Sequence, residues 1–208
     1  MDRSKTIQQV VKKLRHNYGT TMLAGISKDP FQVLIATALS ARSRDEVTGG
    51  VARNLFKAYP TAKKLAAARE GDVKKIIKRI GFYNTKAKRV IAIAKEVVDG
   101  VPDTMEELVQ LPGVGRKTAG CVLVYAFGKD AIPVDTHVHR ISNRLGLVST
   151  KDPLKTERAL MKITPQKDWR FVNDLLVHHG KNVCKPIIPR CGECPLTSLC
   201  AFYRKVNK

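Results

Sequence analysis

Residues 111–128 read LPGVGRKTAGCVLVYAFG. A short turn with two glycines, Gly113 and Gly115, opens onto Arg116 and Lys117 and then onto a run too apolar for a surface. The run is long enough for about three helical turns and is bounded by glycine, so it reads as a buried helix and not a strand. Both glycines are expected at positive φ, with their backbone N–H groups exposed and room for a partner's backbone to come close. A helix starting near Gly115 points its positive end at the turn, and such an end binds an anion such as a phosphate. Arg116 adds charge beside it. Lys117 falls in the first helical turn, where a positive end disfavours an ammonium and favours the free amine that attacks carbon. On these grounds two roles stay open for Lys117: a nucleophile, or one more phosphate-binding lysine.

Outward from this segment the helical period continues. Ile7, Val10, Val11 and Leu14 make one apolar face of a first helix. Asp29-Pro30 is a start signal for residues 31–39, whose near-total apolarity makes that helix central. Further helices are expected at 45–59, 61–68, 72–80, 84–98, 105–111, 135–144, 153–163 and 168–179. Asp103-Thr104 followed by Glu106 and Glu107 reads as an N-terminus. No run alternates with period two for long enough to make a strand. The fold class is therefore all-α, with about ten short helices by this periodicity. Residues 24–132 are expected as one helical domain, and 1–23 with 133–208, from both chain ends, as the other.

The chain carries 38 Lys+Arg against 18 Asp+Glu, a net charge of +20, on a composition that is 43% hydrophobic. That apolar content excludes a disordered polycation. A charge so far from zero repels itself in the compact state, and nucleic acid is the commonest compensating partner. No window approaches the roughly 18 uninterrupted apolar residues of a membrane span. The first residues, MDRSKTIQQVVKKLRHNYG, lack the apolar core of a secretory signal. The expectation is a soluble, intracellular protein without a membrane partner. Monomer is the default expectation.

Asp135 precedes Thr-His-Val-His and makes a good N-cap. His137 and His139 stand two apart, so they point different ways on a helix and make a poor metal pair; His137 is read as structural. Of five cysteines, Cys121 lies in the apolar run and reads as a small core residue. The others, Cys184, Cys191, Cys194 and Cys200, follow the pattern C-x6-C-x2-C-x5-C. Four thiolates in one loop suit zinc or an iron–sulfur cluster, and the clustering is unlike the even spread of a secreted disulfide framework.

L-P-G-V-G-R-K-T-A, then V-D-T-H-V-x-R, then the cysteine loop occur in an order that resembles the endonuclease III branch of the helix-hairpin-helix (HhH-GPD) base-excision glycosylases, over about residues 31–200. The resemblance implies two helical domains flanking a DNA-binding cleft, with a helix-hairpin-helix motif and a C-terminal [4Fe-4S] loop. It implies that the hairpin grips the DNA backbone, that Lys117 is the nucleophile and that Asp135 is the catalytic carboxylate. A carboxylate held rigidly at an N-cap can also stabilise positive charge building on a sugar. Two segments resemble the family's wedges, SARSRD at 40–45 and GFYN at 81–84. The family commonly has Gln where this chain has Arg42, and Phe82 stands at the bulky apolar wedge. Related adenine-specific enzymes carry a glutamate where this chain has Thr37 and lack a lysine at the Lys117 place. The implied function is a bifunctional DNA glycosylase and AP lyase acting on oxidised pyrimidines, such as thymine glycol, in double-stranded DNA containing damaged bases or abasic sites. Its rivals are a monofunctional glycosylase for mismatched or deaminated bases, and a non-enzymatic cluster-bearing DNA-binding module.

Overall fold

A computed structural model describes residues 2–16, 25, 27–43 and 45–206. Leu23 and Ala24, at the expected domain boundary, and Arg44, in the first wedge segment, lie outside the described residues. Among the described residues there are twelve α-helices and no strand. They are α1 (Arg3–Arg15), α2 (Pro30–Ser40), α3 (Asp45–Ala58), α4 (Ala62–Ala66), α5 (Glu70–Ile77), α6 (Tyr83–Glu96), α7 (Met105–Leu108), α8 (Arg116–Tyr125), α9 (Thr136–Leu145), α10 (Pro153–Ile163), α11 (Trp169–Asn182) and α12 (Ala201–Val206).

Local chemistry sets most of the starts. Asp2 accepts from Ser4 N and Lys5 N at α1, Asp29 from Gln32 N at α2, and Asp152 from Lys155 N at α10. At α7 Thr104 Oγ1 accepts from Glu107 N and donates its hydroxyl to the Glu107 carboxylate. Each such cap contributes about 1 kcal/mol. α5 begins at Glu70, earlier than the expected residue 72, because Glu70 and Asp72 both favour the positive end and Glu70 pairs with Lys74 at 2.6 Å. α12 has no buried residue, so it left no apolar stripe to read.

The chain forms two compact units, Met22–Lys129 and Met1–Thr21 with Asp130–Lys208. In the first, α2 is the centre. Its residues 31 and 33–39 are buried, and it packs against α3, α6 and α8. In the second, Ile7, Val10, Val11 and Leu14 of α1 join Val138, Ile141, Leu160, Val172 and Leu176 in one core, and α1 packs on α10 and α11. Ile132, expected with the first domain, lies in this core instead, because its side chain is fully buried among the α1 and α9 residues. Arg15 ties the end of α1 to Asp168 at 3.0 Å and lies over the Phe171 ring at 3.6 Å.

Leu14 is fully buried and Leu154 is 40% exposed. Leu14→Ala is expected to lower the unfolding free energy by about 2–5 kcal/mol, against roughly 0.5 or less for Leu154→Ala, measured by urea denaturation followed by circular dichroism.

Candidate nucleic-acid interface and cysteine site

The hairpin is set by Leu111 and Val114, both buried, with Val114 N donating to Leu111 O at 3.0 Å. Gly113 takes φ +69, the left-handed region that glycine suits. Gly115 does not share it: at φ −93 and ψ 171 it is extended, as an N-cap should be, which corrects the expectation of two left-handed glycines. A Cβ at Gly115 meets nothing within 4 Å, so neither its conformation nor its neighbours within the chain require glycine. What remains is clearance for something outside. At Gly113 a Cβ falls 2.2 Å from Arg89 Nε, so Arg89 of α6 lies over the turn.

α8 starts at this point with Arg116 and Lys117, no acid in its first turn, and no side chain on Gly115 to cap it. Each cation at a positive helix end costs about 0.3–1 kcal/mol. Behind them Ala119, Gly120, Cys121, Val122 and Leu123 are buried in the core. Arg116 is exposed and Lys117 half-buried.

The two segments read as wedges lie side by side in the same unit. Arg42 (φ 54) and Phe82 (φ 59) are the two non-glycine residues at positive φ among the described residues. Each such residue costs about 1–2 kcal/mol and persists only where its surroundings hold it. The Arg42 guanidinium carbon lies 5.9 Å from the Phe82 ring centroid, and a Cβ on Gly81 falls 3.5 Å from Arg42 O. Phe82 is 63% exposed, the reverse of a core contact. Thr37 is buried, with its hydroxyl bonded to Val33 O at 2.7 Å.

Sequence reasoning missed Lys86. It is buried, and its Nζ donates to Leu39 O at 2.8 Å, Ala41 O at 2.6 Å and Ser43 Oγ at 2.9 Å. Burial first, and the Arg89 charge second, lower its pKa to about 8. The signal was its place on the buried face of α6, in register with Val90 and Ile93.

In the other unit, Asp135 caps α9, its Oδ1 accepting from Val138 N at 2.8 Å. His137 Nδ1 meets Arg140 Nη2 at 3.2 Å, and its ring fills the space a Cβ on Gly180 would need. His139 Nδ1 meets Thr156 Oγ1 at 2.7 Å, so the two histidines serve different partners.

The four C-terminal cysteines line one cavity with Ile141, Leu145 and Val183. Leu196 N donates to Cys194 Sγ at 3.4 Å and Tyr203 N to Cys200 Sγ at 3.5 Å. Arg144 Nη1 donates to Cys184 Sγ at 3.5 Å and to Lys185 O at 2.7 Å, and Arg140 Nη2 donates to Cys184 O at 2.8 Å. His179 is buried, and burial pushes its pKa down to about 4, so it is neutral where its Nε2 lies 3.6 Å from Cys194 Sγ. Burial, and then the other cysteines, raise the Cys191 and Cys194 pKa values. A cationic centre in the cavity relieves that repulsion.

Arg42, Phe82, Gly113, Gly115, Arg116 and Lys117 thus belong to the Met22–Lys129 unit, and Asp135 with the four cysteines to the other. Residues 35–166 match the family model described as HhH-GPD superfamily base excision DNA repair protein. Endonuclease III of Thermotoga maritima is 46% identical over 205 residues, covering 97% of this chain and 93% of the relative. Endonuclease III of Bacillus subtilis is 41% identical over 188 residues, covering 88% and 86%. A trapped endonuclease III–DNA covalent intermediate superposes with a TM-score of 0.89 at 33% identity, covering 99% of each chain. The chain belongs to the HhH-GPD superfamily of base-excision DNA repair proteins, in its endonuclease III family of DNA glycosylases with AP lyase activity.

Proposed function

We propose that this chain removes oxidised pyrimidines, thymine glycol among them, from double-stranded DNA and nicks the strand 3′ to the abasic site. The observation that carries the reading is the start of α8: two cations, no acid, and a Gly115 that its own fold does not require. A phosphate is the group such an end accepts. Gly113, Gly115 and Arg116 grip the backbone, Arg42 bonds the orphaned base, and Phe82 fills the gap left by the extruded one. The unit carrying the hairpin is the DNA-gripping domain, and the unit built from both chain ends is the cluster domain. The protein acts as a monomer on the nucleoid.

Chemistry then follows from an amine nucleophile and a carboxylate. Lys117 Nζ attacks C1′; the glycosidic bond breaks, and its electron pair leaves with the base, which takes a proton. The Asp135 carboxylate stabilises the positive charge that builds on the sugar. The bound amine then gives up a proton, the C1′–O4′ bond breaks with O4′ taking a proton, and the resulting imine at C1′ acidifies the C2′ proton, whose loss expels the 3′ phosphate by β-elimination. Borohydride reduces that imine to a stable amine. Wild type is expected to give a covalent adduct on a thymine glycol duplex and Lys117→Ala none. An adduct only on an abasic duplex overturns the lesion and keeps the lyase. No adduct on either makes Lys117 a phosphate-binding residue of a monofunctional enzyme.

Asparagine caps a helix as well as aspartate does. Asp135→Asn is therefore expected to leave the melting temperature within error while base release falls by about 10²–10³. A melting temperature that drops with full base release assigns Asp135 to capping alone.

Cys184, Cys191, Cys194 and Cys200 suit a [4Fe-4S] cluster. Structural zinc ordinarily takes two close cysteine pairs, whereas here Cys191 and Cys194 form the one close pair. The cluster supplies a structural centre that shapes the basic loop around Lys185 and Arg190. Anaerobically purified protein is expected to carry about four iron and four acid-labile sulfide per chain, one iron per cysteine. One zinc per chain with no sulfide overturns this assignment.

A further inference from the structure

Arg42 and Phe82 raise a question that the chemistry leaves open. Two exposed side chains sit on backbone that arginine and phenylalanine avoid, on loops about forty residues apart, yet they face one another. Glycine or asparagine at either position would relieve the backbone. Something must hold both loops in place before DNA supplies any contact.

Lys86 reaches both. Its backbone N donates to Phe82 O at 3.0 Å, which begins the first turn of α6 directly on the left-handed residue. Its side chain turns the other way and spends its three N–H donors on Leu39 O, Ala41 O and Ser43 Oγ. Those acceptors bracket Arg42 on both sides. Two of them are carbonyls at the end of α2, which a helix cannot satisfy internally. The ammonium is buried; among the described residues its acceptors are two carbonyls and a hydroxyl, and its charged neighbour is Arg89. A buried cation with neutral acceptors is a costly way to end a helix, for which a glycine after the last turn ordinarily suffices.

We propose that Lys86 is a positioning residue: it clamps the Arg42 loop to the Phe82 loop, so that both side chains are presented together to the duplex before DNA binds. This rests on the reading above that Arg42 and Phe82 enter the duplex. Arg89, one turn further along α6, lies over Gly113 of the hairpin. One helix therefore carries the clamp and a contact to the backbone-gripping turn.

The test uses a duplex with a tetrahydrofuran abasic analogue opposite 2-aminopurine, which brightens when its stacking is broken. The analogue needs no chemistry, so the readout is independent of the lesion and of Lys117. Wild type is expected to brighten the probe. Lys86→Met keeps the stem and removes the donors; it is expected to bind several-fold more weakly and, at saturating protein, to lose most of the brightening. Ser43→Ala removes one acceptor and is expected to lose part of it with an unchanged melting temperature, which covers the case in which Lys86→Met does not fold. Brightening equal to wild type in Ser43→Ala and in a folded Lys86→Met overturns the clamp. No brightening by wild type overturns it as well. Borohydride trapping on an abasic duplex reports separately on the lyase: trapping without brightening sinks only the clamp, and brightening without trapping sinks only the lyase.

Discussion

A helix that opens on Gly115, Arg116 and Lys117 puts two positive charges on a positive end, and the rest of the Met22–Lys129 unit is arranged to tolerate it. The alternative open to α8 is to fray or shift, which moves the cations away from the N–H groups. That escape is closed from behind. Ala119 to Leu123 are buried, and α8 packs on α2, whose interior residues are apolar from end to end apart from the self-satisfied Thr37. Pulling α8 back by one residue exposes part of that surface, at about 25 cal/mol per Å². An aspartate or serine at position 115 would ease the local conflict by capping, and it would also fill the space through which an anion approaches. The local cost and the open site are the same feature.

This explains why the hairpin was legible and the wedge loops only half so. A buried helix behind Gly-Arg-Lys violates the ordinary preference of helix starts, and a violation of that kind is visible in the letters themselves. Asp29, Thr104 and Asp135 were equally visible, because an N-cap needs only its own residue and the next three. The backbone at Arg42 and Phe82 was not. Nothing in SARSRD or GFYN calls for positive φ at those residues, since local preference points the other way. The conformation is imposed by a side chain more than forty residues away from Arg42, and single-residue propensities carry no such information. Gly115 was misread for the complementary reason. Glycine at a turn suggests positive φ, but here its use is the absence of a side chain and not the freedom of its backbone.

The cysteine loop shows another form of support. Around it the sequence gives lysines, arginines and prolines, which read as a basic surface. Two of the arginines that matter lie elsewhere, on α9, and turn inward. Arg140 and Arg144 donate to the carbonyls of Cys184 and Lys185, so the loop's backbone is braced before any cluster is considered. A planar guanidinium presents its donors in a fixed fork, and Arg144 uses it to reach the Cys184 sulfur and the Lys185 carbonyl together. Their place three and four residues past His137 and Arg140 on one helical face was legible as periodicity; that the face meets the loop was not, because the loop has no period of its own.

These inward cations change how the net charge of +20 is to be understood. Lys86, Arg140 and Arg144 bind carbonyls, a hydroxyl or a thiol, and none of these acceptors is a carboxylate. They touch no phosphate where they stand, so a count of charges overstates the number of direct DNA contacts. Their charge is only partly offset nearby, since Cys184 and Asp135 favour the charged form of Arg140, and a low-dielectric interior screens the remainder less than water does. Such groups add to the long-range field that draws a polyanion in, while the salt dependence of binding counts only the cations that displace counterions from phosphates. The same side chains that hold strained loops in place thus contribute to attraction without contributing to contact, which lets the exposed residues of the hairpin and wedges be chosen for geometry over charge.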